Sequence, residues 1–335
     1  MKSRRRTIYN RFKEARNKGG NYLLEQIRQD GKFGDSDLGV VEYYKVPAAL
    51  IVCGLSSAAS NLLGWIRNNG FYENGDFGPR PIREKNSYYY TYHNSWVIKA
   101  AHRLGHFDLS QRGMDFLLKF WDPESGGFYS SPSDKSDLTE QDLWVVSGSG
   151  WCAIYTGRID IARKVGLWMK NLMNSQPNYP EEMWTVYNRS TGLIKNVIDD
   201  DEFRYVLTRE ESRDQSFYHP GIAAGFLTRL YMATGEKTWI ELARTYMEFC
   251  EGVGDYHFSL LRAGKVGWAA SLMYTVTGEQ KFADMAIRVG DNLIATQNDN
   301  GAWGSSHLDR DQPNNDATAE LVVWLDEIHQ AVGIE

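Results

Sequence analysis

The stretch Gly75-Asp76-Phe77-Gly78, in which a glycine precedes a large aromatic residue, recurs along the chain. Its other copies are Gly31-Lys32-Phe33-Gly34, Gly126-Gly127-Phe128-Tyr129 and Gly301-Ala302-Trp303-Gly304. Between these loops, helical runs end at a second kind of stop, a glycine after a small residue or a leucine: Cys53-Gly54, Leu104-Gly105, Thr156-Gly157, Thr234-Gly235 and Thr277-Gly278. Two alternating loop types with a period of roughly fifty residues indicate a repeat of helix–loop–helix units.

This repeat predicts the fold. One helix–loop–helix unit cannot bury its own apolar face, so the units must stack on one another. The 335 residues accommodate six units, and six helical hairpins predict an all-α (α/α)6 toroid that forms one domain over residues 1–335. A small β-hairpin insertion is expected at about 177–213, where residues 182–207 alternate around Ser190-Thr191-Gly192.

The hydrophobic pattern predicts alternating outer and inner helices. Outer helices, with one apolar and one charged face, are expected at Tyr9–Gln29, Ser56–Asn69, Leu109–Trp121, Ile159–Ser175, Thr238–Gly252 and Lys281–Gln297. Inner helices, which are apolar or small nearly all round, are expected at Tyr43–Cys53, Tyr89–Leu104, Gln141–Tyr155, His219–Thr234, Val266–Thr277 and Asp316–Val332. The inner helices would enclose a central cavity.

Composition and charge exclude several classes of function. The net charge is −6, and no basic stripe for nucleic acid is present. No segment approaches the roughly twenty apolar residues of a membrane span, and the basic residues 2–6 lead into an amphipathic helix instead of a secretory signal. Cys53, Cys152 and Cys250 are odd in number and widely spaced, which predicts reduced thiols in a cytoplasmic protein.

The loops that lead into the inner helices converge on one rim of a toroid, so the candidate functional residues lie there. The six helix N-termini at that rim also favour an anion, because their unpaired N–H groups point toward it. The side chains expected at the rim and upper cavity include Tyr44, Lys45, Tyr92, His93, Asn94, Asp142, Gln215, Tyr218, His219, Lys265, Trp268, Asp316 and Glu320.

Acidic residues at the rim are candidate metal ligands. Asp316 and Glu320 lie four residues apart, on one face of the last inner helix, where two carboxylates can bridge Mg²⁺ with a phosphate as a further ligand. Alternatively, Asp316 caps the helix and Glu320 points to solvent or pairs with an arginine. Asp142 is a third candidate ligand from its position. The run Asp199-Asp200-Asp201-Glu202 matches an aspartate-rich metal motif poorly and is interpreted as a solvated turn.

Basic residues and histidines at the rim also have two interpretations each. Lys265, in the loop before the fifth inner helix, and Lys45 suit a phosphate as point charges, or are ordinary surface lysines. His93 and His219 form a possible general acid–base pair across the cavity, or are hydrogen-bonded structural residues. The numerous aromatic residues allow stacking on sugars or stabilisation of a carbocation, since a desolvated ring contributes roughly 2 kcal/mol to a cation–π contact.

The pattern Leu261-x-x-x-Lys265 before an inner helix, on a six-hairpin toroid of this length, resembles a family. It is similar to the fungal humulene synthases of tropolone-sesquiterpenoid pathways, terpene cyclases that lack the usual aspartate-rich helix motif. The resemblance implies that Lys265 and a cluster of two Mg²⁺ ions bind the diphosphate of farnesyl diphosphate, and that Leu261 shapes the product.

The implied activity is a magnesium-dependent sesquiterpene cyclase that converts this isoprenoid diphosphate to a macrocyclic humulene-type alkene. The residues assigned to catalysis are Lys265, Leu261, Tyr44, Asn94 and Trp268. Those assigned to substrate binding are Lys265, Lys45, Tyr92, His93, Gln215, Tyr218 and His219. Asp316, Glu320 and Asp142 are assigned to the metal.

A second class of function fits the same fold. A sugar-acting toroid, such as an N-acylglucosamine 2-epimerase-like isomerase or a glycosidase, would use His93 and His219 or a pair of carboxylates, with aromatic side chains stacked on the sugar. A glycosidase needs two acids about 5–10 Å apart across the cavity. A non-catalytic scaffold toroid, with a filled cavity and apolar surface patches, is the third possibility.

Overall fold

The computed structural model describes residues 2–34, 39–81, 87–132, 134–196, 202–209, 215–306 and 309–333. The helices are α1 (Lys2–Leu24), α2 (Val40–Tyr43), α3 (Val46–Val52), α4 (Ser56–Asn69), α5 (Tyr90–Arg103), α6 (Phe107–Leu117), α7 (Leu143–Tyr155), α8 (Ile159–Asn174), α9 (Glu202–Tyr205), α10 (Tyr218–Thr234), α11 (Lys237–Glu251), α12 (Asp255–Ser259), α13 (Gly264–Thr277), α14 (Gln280–Thr296) and α15 (Asn315–Gly333). The strands are β1 (Gln141–Asp142), β2 (Glu182–Trp184), β3 (Val186–Asn188), β4 (Gly192–Leu193) and β5 (Val206–Thr208).

Six inner helices form a closed ring. Each contacts the next in the order α3, α5, α7, α10, α13 and α15, and α15 returns to α3. The outer shell consists of α1, α4, α6, α8, α11 and α14, and α1 packs on α15, which joins the two ends of the described chain. The predicted (α/α)6 toroid is therefore confirmed.

Glycines mark both kinds of loop. The five glycines that follow inner helices have φ between 70° and 77°, the left-handed conformation that ends a helix. In the other kind of loop, Gly75 has φ 91°, and a Cβ there would lie 2.3 Å from the carbonyl oxygen of Arg112. The adjacent Phe77 is fully buried. This loop thus presses against the next outer helix, which only glycine permits.

The first inner helix differs from its prediction of Tyr43–Cys53. It is divided into α2 and α3, with a turn at Tyr44 and Lys45. Pro47 lies in the first turn of α3, and because proline has no N–H it cannot extend the hydrogen bonds of α2. The break places the side chain of Lys45 at the N-terminus of α3.

The third inner helix also begins later than predicted, since Gln141 and Asp142 form a strand. β1 pairs with β3, and β3 pairs with β4 around Ser190 and Thr191, so the predicted β-hairpin is confirmed. β2 pairs separately with β5. Residues 197–201, which include most of the acidic run at 199–202, lie outside the described residues.

Four tryptophans fill the middle of the ring. The centroid of the Trp268 ring lies 4.7 Å from that of Trp324 and 4.8 Å from that of Trp151. Trp96 packs edge-on against Trp324 at 5.5 Å. These four side chains, which we call the tryptophan floor, close the central channel below the rim.

Within the described part of the chain, the helices are too short or too polar to cross a bilayer.

Candidate functional site

A cavity of about 420 Å³ opens above the tryptophan floor. All six inner helices contribute side chains from their N-terminal ends, as the convergence of the leading loops predicted. The contributing residues are Lys45 before α3, Tyr89 before α5, His93 of α5, Trp144 of α7, Tyr218 of α10, Lys265 of α13, and Asp316 and Glu320 of α15. Tyr44 and Leu261 also line the cavity.

Two lysines share one glutamate at the base of the cavity. Glu320 accepts hydrogen bonds from Lys45 through Oε2 and from Lys265 through Oε1. Lys45 also donates to Asp316 Oδ2 at 2.9 Å, and the indole N–H of Trp324 donates to Glu320 Oε1 at 3.1 Å. The other oxygen of Asp316, Oδ1, has no hydrogen-bond partner among the described residues.

The lysines are almost completely buried, with 4 % of Lys45 and 5 % of Lys265 exposed. Burial disfavours the charged form of Glu320, but Lys265 and Lys45 outweigh it and hold the pKa of Glu320 well below its usual range. Burial opposes the charge of Lys45 too, yet Asp316 and Glu320 raise its pKa. For Lys265, burial and repulsion from Lys45 outweigh Glu320 and lower the pKa of the amine.

The position of these lysines is unfavourable for helix stability. Lys45 is the residue before α3, and Lys265 is the second residue of α13. A helix N-terminus carries a partial positive charge, which disfavours a cation and favours an anion. Asp316, the second residue of α15, has the favourable arrangement. Each of these cations lies beside a carboxylate, which offsets the unfavourable helix dipole.

Aromatic rings form one wall of the cavity. Tyr89 and Trp144 stack at 5.5 Å with 26° between their planes, and Tyr218 lies 5.0 Å from Trp144. The Nζ atom of Lys265 lies 5.0 Å from the centroid of the Tyr218 ring. Such a wall can stack on the apolar face of a sugar ring while the ionised side chains beside it bind hydroxyl groups.

His93 lies in the wall as a neutral imidazole. Burial, followed by the positive charges of Arg80 and Lys45, holds its pKa well below the usual value. The guanidinium of Arg80 lies 3.2 Å from His93 Nδ1, and because a guanidinium only donates, Nδ1 accepts. The contact with Arg80 favours a proton on Nε2, where it can be donated to an oxygen of a bound molecule, whereas the Tyr90 carbonyl, which also bonds to the ring, favours a proton on Nδ1.

Arg80 is held by the glycine–aromatic loop that decides the fold. Its guanidinium donates to Asp76 Oδ1 at 3.0 Å and to the side chain of Asn94. Asn94 in turn donates to the same Asp76 oxygen at 2.9 Å. Asn94 is thus part of the support behind His93 and does not line the cavity.

Asp142 and His219 form a separate buried cluster. Asp142 caps α7 by accepting from the Trp144 N–H at 2.8 Å, and its other oxygen accepts from Arg204 at 3.0 Å. His219 Nδ1 lies 3.0 Å from the Ser216 carbonyl, and its Nε2 lies 3.6 Å from Asp142. Burial opposes the charge of Asp142, but His219 and Arg204 lower its pKa. His219 does not face His93 across the cavity.

Three other predicted residues lie behind the cavity wall. Trp268 belongs to the tryptophan floor and is fully buried. Tyr92 packs 4.5 Å from Trp144. Gln215 joins the backbone of Thr208, accepting from its N–H at 2.6 Å and donating to its carbonyl at 3.0 Å. These residues support the site, and the roles predicted for them in catalysis and substrate binding stay predictions.

Sequence reasoning missed Arg80, Glu42 and Trp324. The spacing of Asp76 and Arg80, opposite charges four residues apart, was the available signal for Arg80. Glu42 lines the cavity beside Tyr44 and Lys45. Trp324 follows Glu320 by one helical turn, so that Asp316, Glu320 and Trp324 occupy one face of α15.

The predicted magnesium ligands do not come together as a set. Asp316 and Glu320 are bonded to lysine ammonium groups, and the oxygens of Asp142 are bonded elsewhere. Within residues that the model describes, no three His, Cys, Asp or Glu side chains are placed to hold a metal ion. The donor set does not fit Mg²⁺, so we derive no chemistry through it, and the expectation of two ions stays a prediction.

Comparison with known proteins finds a likeness of fold. No protein-family model and no curated protein matches the sequence. A solved D-mannose isomerase has a TM-score of 0.68 at 12 % identity, over 95 % of this chain and 97 % of that chain. A cellobiose 2-epimerase from Bacillus thermoamylovorans B4167 has a TM-score of 0.67 at 11 % identity, over 96 % and 99 %. The GH76A alpha-1,6-mannanase from Salegentibacter sp. HEL1_6 has a TM-score of 0.66 at 13 % identity, over 96 % and 99 %.

These neighbours overturn the resemblance to humulene synthases. They are a sugar isomerase, a sugar epimerase and a mannanase, and not terpene cyclases. The predicted sesquiterpene cyclase activity on farnesyl diphosphate is therefore wrong, and so is the terpene synthase class. The physical reason is that Leu261-x-x-x-Lys265 is too short to identify a family. Lys265, taken as the diphosphate ligand, is instead bonded to Glu320.

Proposed function

We propose that the protein is a sugar-acting enzyme that moves a proton at C2 of a reducing aldose, next to its carbonyl carbon. This is the chemistry of 2-epimerases and aldose–ketose isomerases. The observation that carries the proposal is the neutral His93 in a cavity that both aromatic rings and ionised side chains line. The folds of a D-mannose isomerase and a cellobiose 2-epimerase support it.

His93 supplies the electrophile. A neutral imidazole that donates Nε2–H to the C1 oxygen stabilises the negative charge that develops there when the C2 proton leaves. Arg80 keeps His93 neutral and favours the tautomer with the proton on Nε2. Because the pKa of His93 is lowered, this role persists below pH 6.5 and is lost only when acid protonates the ring.

Asp316 supplies the base. Asp316 lines the cavity with 42 % of its side chain exposed, and its Oδ2 accepts a hydrogen bond from Lys45. A carboxylate at a cavity can accept a proton from carbon when the site stabilises the resulting anion. Glu320 is less suitable, because both of its oxygens already accept hydrogen bonds.

A glycosidase fits the cavity less well. The acid of a glycosidase must be protonated at working pH, which requires a raised pKa. Glu320 has the opposite shift, and it shares its helix with Asp316 instead of facing it across the cavity.

The proposed location is the cytoplasm. The three cysteines, Cys53, Cys152 and Cys250, are free thiols. Free buried thiols are typical of a reducing compartment.

The proposal is tested by exchange of the C2 proton in D₂O. Glucose, mannose, N-acetylglucosamine and cellobiose are each incubated with the protein, and the C2 proton is followed by NMR. We expect exchange with at least one aldose, and we expect His93→Gln to slow it about 10²–10⁴-fold. His102→Gln, on the same helix but outside the cavity lining, is the matched control and keeps the rate.

Asp316→Asn is expected to abolish the exchange. Hydrolysis of an α-1,6-mannooligosaccharide without any C2 exchange would contradict the proposal and favour a glycosidase. Absence of both activities would contradict every sugar-acting function considered for this site.

A further inference from the structure

We propose that Lys265 binds the aldose covalently, as an imine to its C1 carbon, and that the reaction is therefore a 2-epimerisation. This inference rests on the proposed function and changes one step of it: His93 donates to the C1 oxygen while that oxygen leaves as water, and the iminium nitrogen then accepts the charge that develops when the C2 proton leaves. It accounts for the lysine at the cavity base, to which the proton transfer assigns no role.

An imine is needed because the proposed base, a carboxylate, is weak. Any carboxylate is a weak base for a proton on carbon, and Asp316 in addition accepts a hydrogen bond from Lys45. A positively charged iminium nitrogen at C1 draws electrons from the C2–H bond and makes that proton far more acidic than an aldehyde does. Lysine is the side chain that forms such an intermediate.

The geometry places the Lys265 amine at the cavity and keeps it out of bulk water. Its Nζ lies 5.0 Å from the Tyr218 ring centroid, 5.9 Å from that of Trp144 and 6.0 Å from that of Tyr92. It lies at the positive end of α13 and shares Glu320 with the Lys45 ammonium. A desolvated lysine beside a second cation loses its proton more readily and becomes nucleophilic, in agreement with its lowered pKa.

The step balances without a further reactant. A C1–N bond forms and the C1–O bond breaks. The carbonyl oxygen leaves as water with two of the three ammonium hydrogens, and the third stays on the iminium nitrogen. The nitrogen is positively charged in the ammonium and again in the iminium, so its ion pair with Glu320 is present before and after the condensation, while Trp324 fixes the shared oxygen of Glu320.

The bonds that form and break at C1 and C2 determine which product is released. When Asp316 removes the C2 proton, the C2–H electrons form a C1=C2 bond and the C1=N π electrons move onto nitrogen, which gives a neutral enamine. Return of a proton to the other face of C2 restores the iminium, and water releases the C2 epimer. A proton placed on C1 would instead leave the sugar bound by a C1–N single bond, which water does not cleave. The imine route thus releases an epimer and no ketose.

The test is reductive trapping on the wild-type protein. The aldose that exchanges fastest is mixed with sodium cyanoborohydride, and the intact mass and the modified peptide are measured. We expect one reduced sugar per chain, attached at Lys265. Lys265→Arg, which keeps the charge beside Glu320, should trap none and should slow C2 exchange about 10²-fold or more.

Lys99→Met is the matched control. Lys99 is also buried with a lowered pKa, but it does not line the cavity. This variant should trap sugar as the wild type does.

The outcomes separate the two proposals. C2 exchange that is equally fast in Lys265→Arg, with no trapped sugar, would overturn the imine and leave the proposed function standing. A ketose as the main product, or trapping spread over many lysines, would also overturn the imine. No exchange and no trapping with any aldose would overturn both proposals.

Discussion

Buried lysines lie on both sides of the tryptophan floor, and they differ in whether a carboxylate pairs with them. On the cavity side, Lys45 and Lys265 are paired with Glu320 and Asp316. On the other side, Lys99 forms no ion pair with the described residues. Its Nζ lies 3.9 Å from the Trp96 ring centroid and 3.6 Å from that of Trp151.

The difference lies in the carboxylates, which accompany the buried lysines only on the cavity side. Ion pairs at the cavity base are costly, since burial and the helix dipole both oppose the lysines, yet four charges are kept there. Burial, followed by repulsion from Arg103, lowers the pKa of Lys99 well below its usual value. Lys99 thus loses its proton more readily than a lysine in water, and its aliphatic chain packs among the indole rings.

The largest effect is expected from Glu320→Gln. It leaves two buried lysines without their shared carboxylate, so the free energy of unfolding should fall by about 3–5 kcal/mol, as measured by urea denaturation. The lowered pKa of Glu320 means that this stabilisation is fully present above pH 4.5, its usual value, and is lost as the pH falls further.

The matched control for this variant is Glu327→Gln, at the other end of the same helix. Glu327 is bonded to Arg229 with 22 % of its side chain exposed, and its loss should cost about 1 kcal/mol. Equal costs for the two variants would contradict the contrast between the two sides of the floor.

An intermediate effect is expected from Trp324→Phe compared with Trp151→Phe. Both changes shrink one ring of the floor, but only Trp324 donates to Glu320, whereas the Trp151 N–H has no partner among the described residues. Trp324→Phe should therefore lower the free energy of unfolding by about 1.5–3 kcal/mol more. Thermal unfolding of the two variants side by side measures the difference, and equal melting temperatures would show that the bond to Glu320 contributes nothing.

The smallest effect is expected from Lys99→Met. Between the lowered pKa of folded Lys99 and its usual value of 10.5, the unfolded chain binds a proton that the folded chain lacks. Stability therefore rises with pH up to that value. The variant should be about 1 kcal/mol more stable at pH 7 and lose this advantage above pH 10.5. A loss of stability at pH 7 would show that Lys99 is held as a cation by Trp96 and Trp151.

The sequence determined the toroid and the layers of its central channel. The glycines alone gave the repeat, because a left-handed stop and a loop pressed against a neighbouring backbone each require that residue. Helical spacing also placed residues at successive depths on one helix face. These are Asp316, Glu320 and Trp324 on α15, and Lys265 and Trp268 near the start of α13.

Only the tertiary structure decided which of these residues meet. Lys45 and Glu320 are 275 positions apart, and Lys265 and Glu320 are 55 apart, so no local pattern predicts their pairing. His93 and His219 look alike in sequence, each beside aromatic residues near the start of an inner helix. In α10, Tyr218 takes the cavity position, and the next residue, His219, is turned about 100° away. Packing against both neighbours sets the rotation of each helix about its axis. That rotation determines that His93, and not His219, faces the cavity.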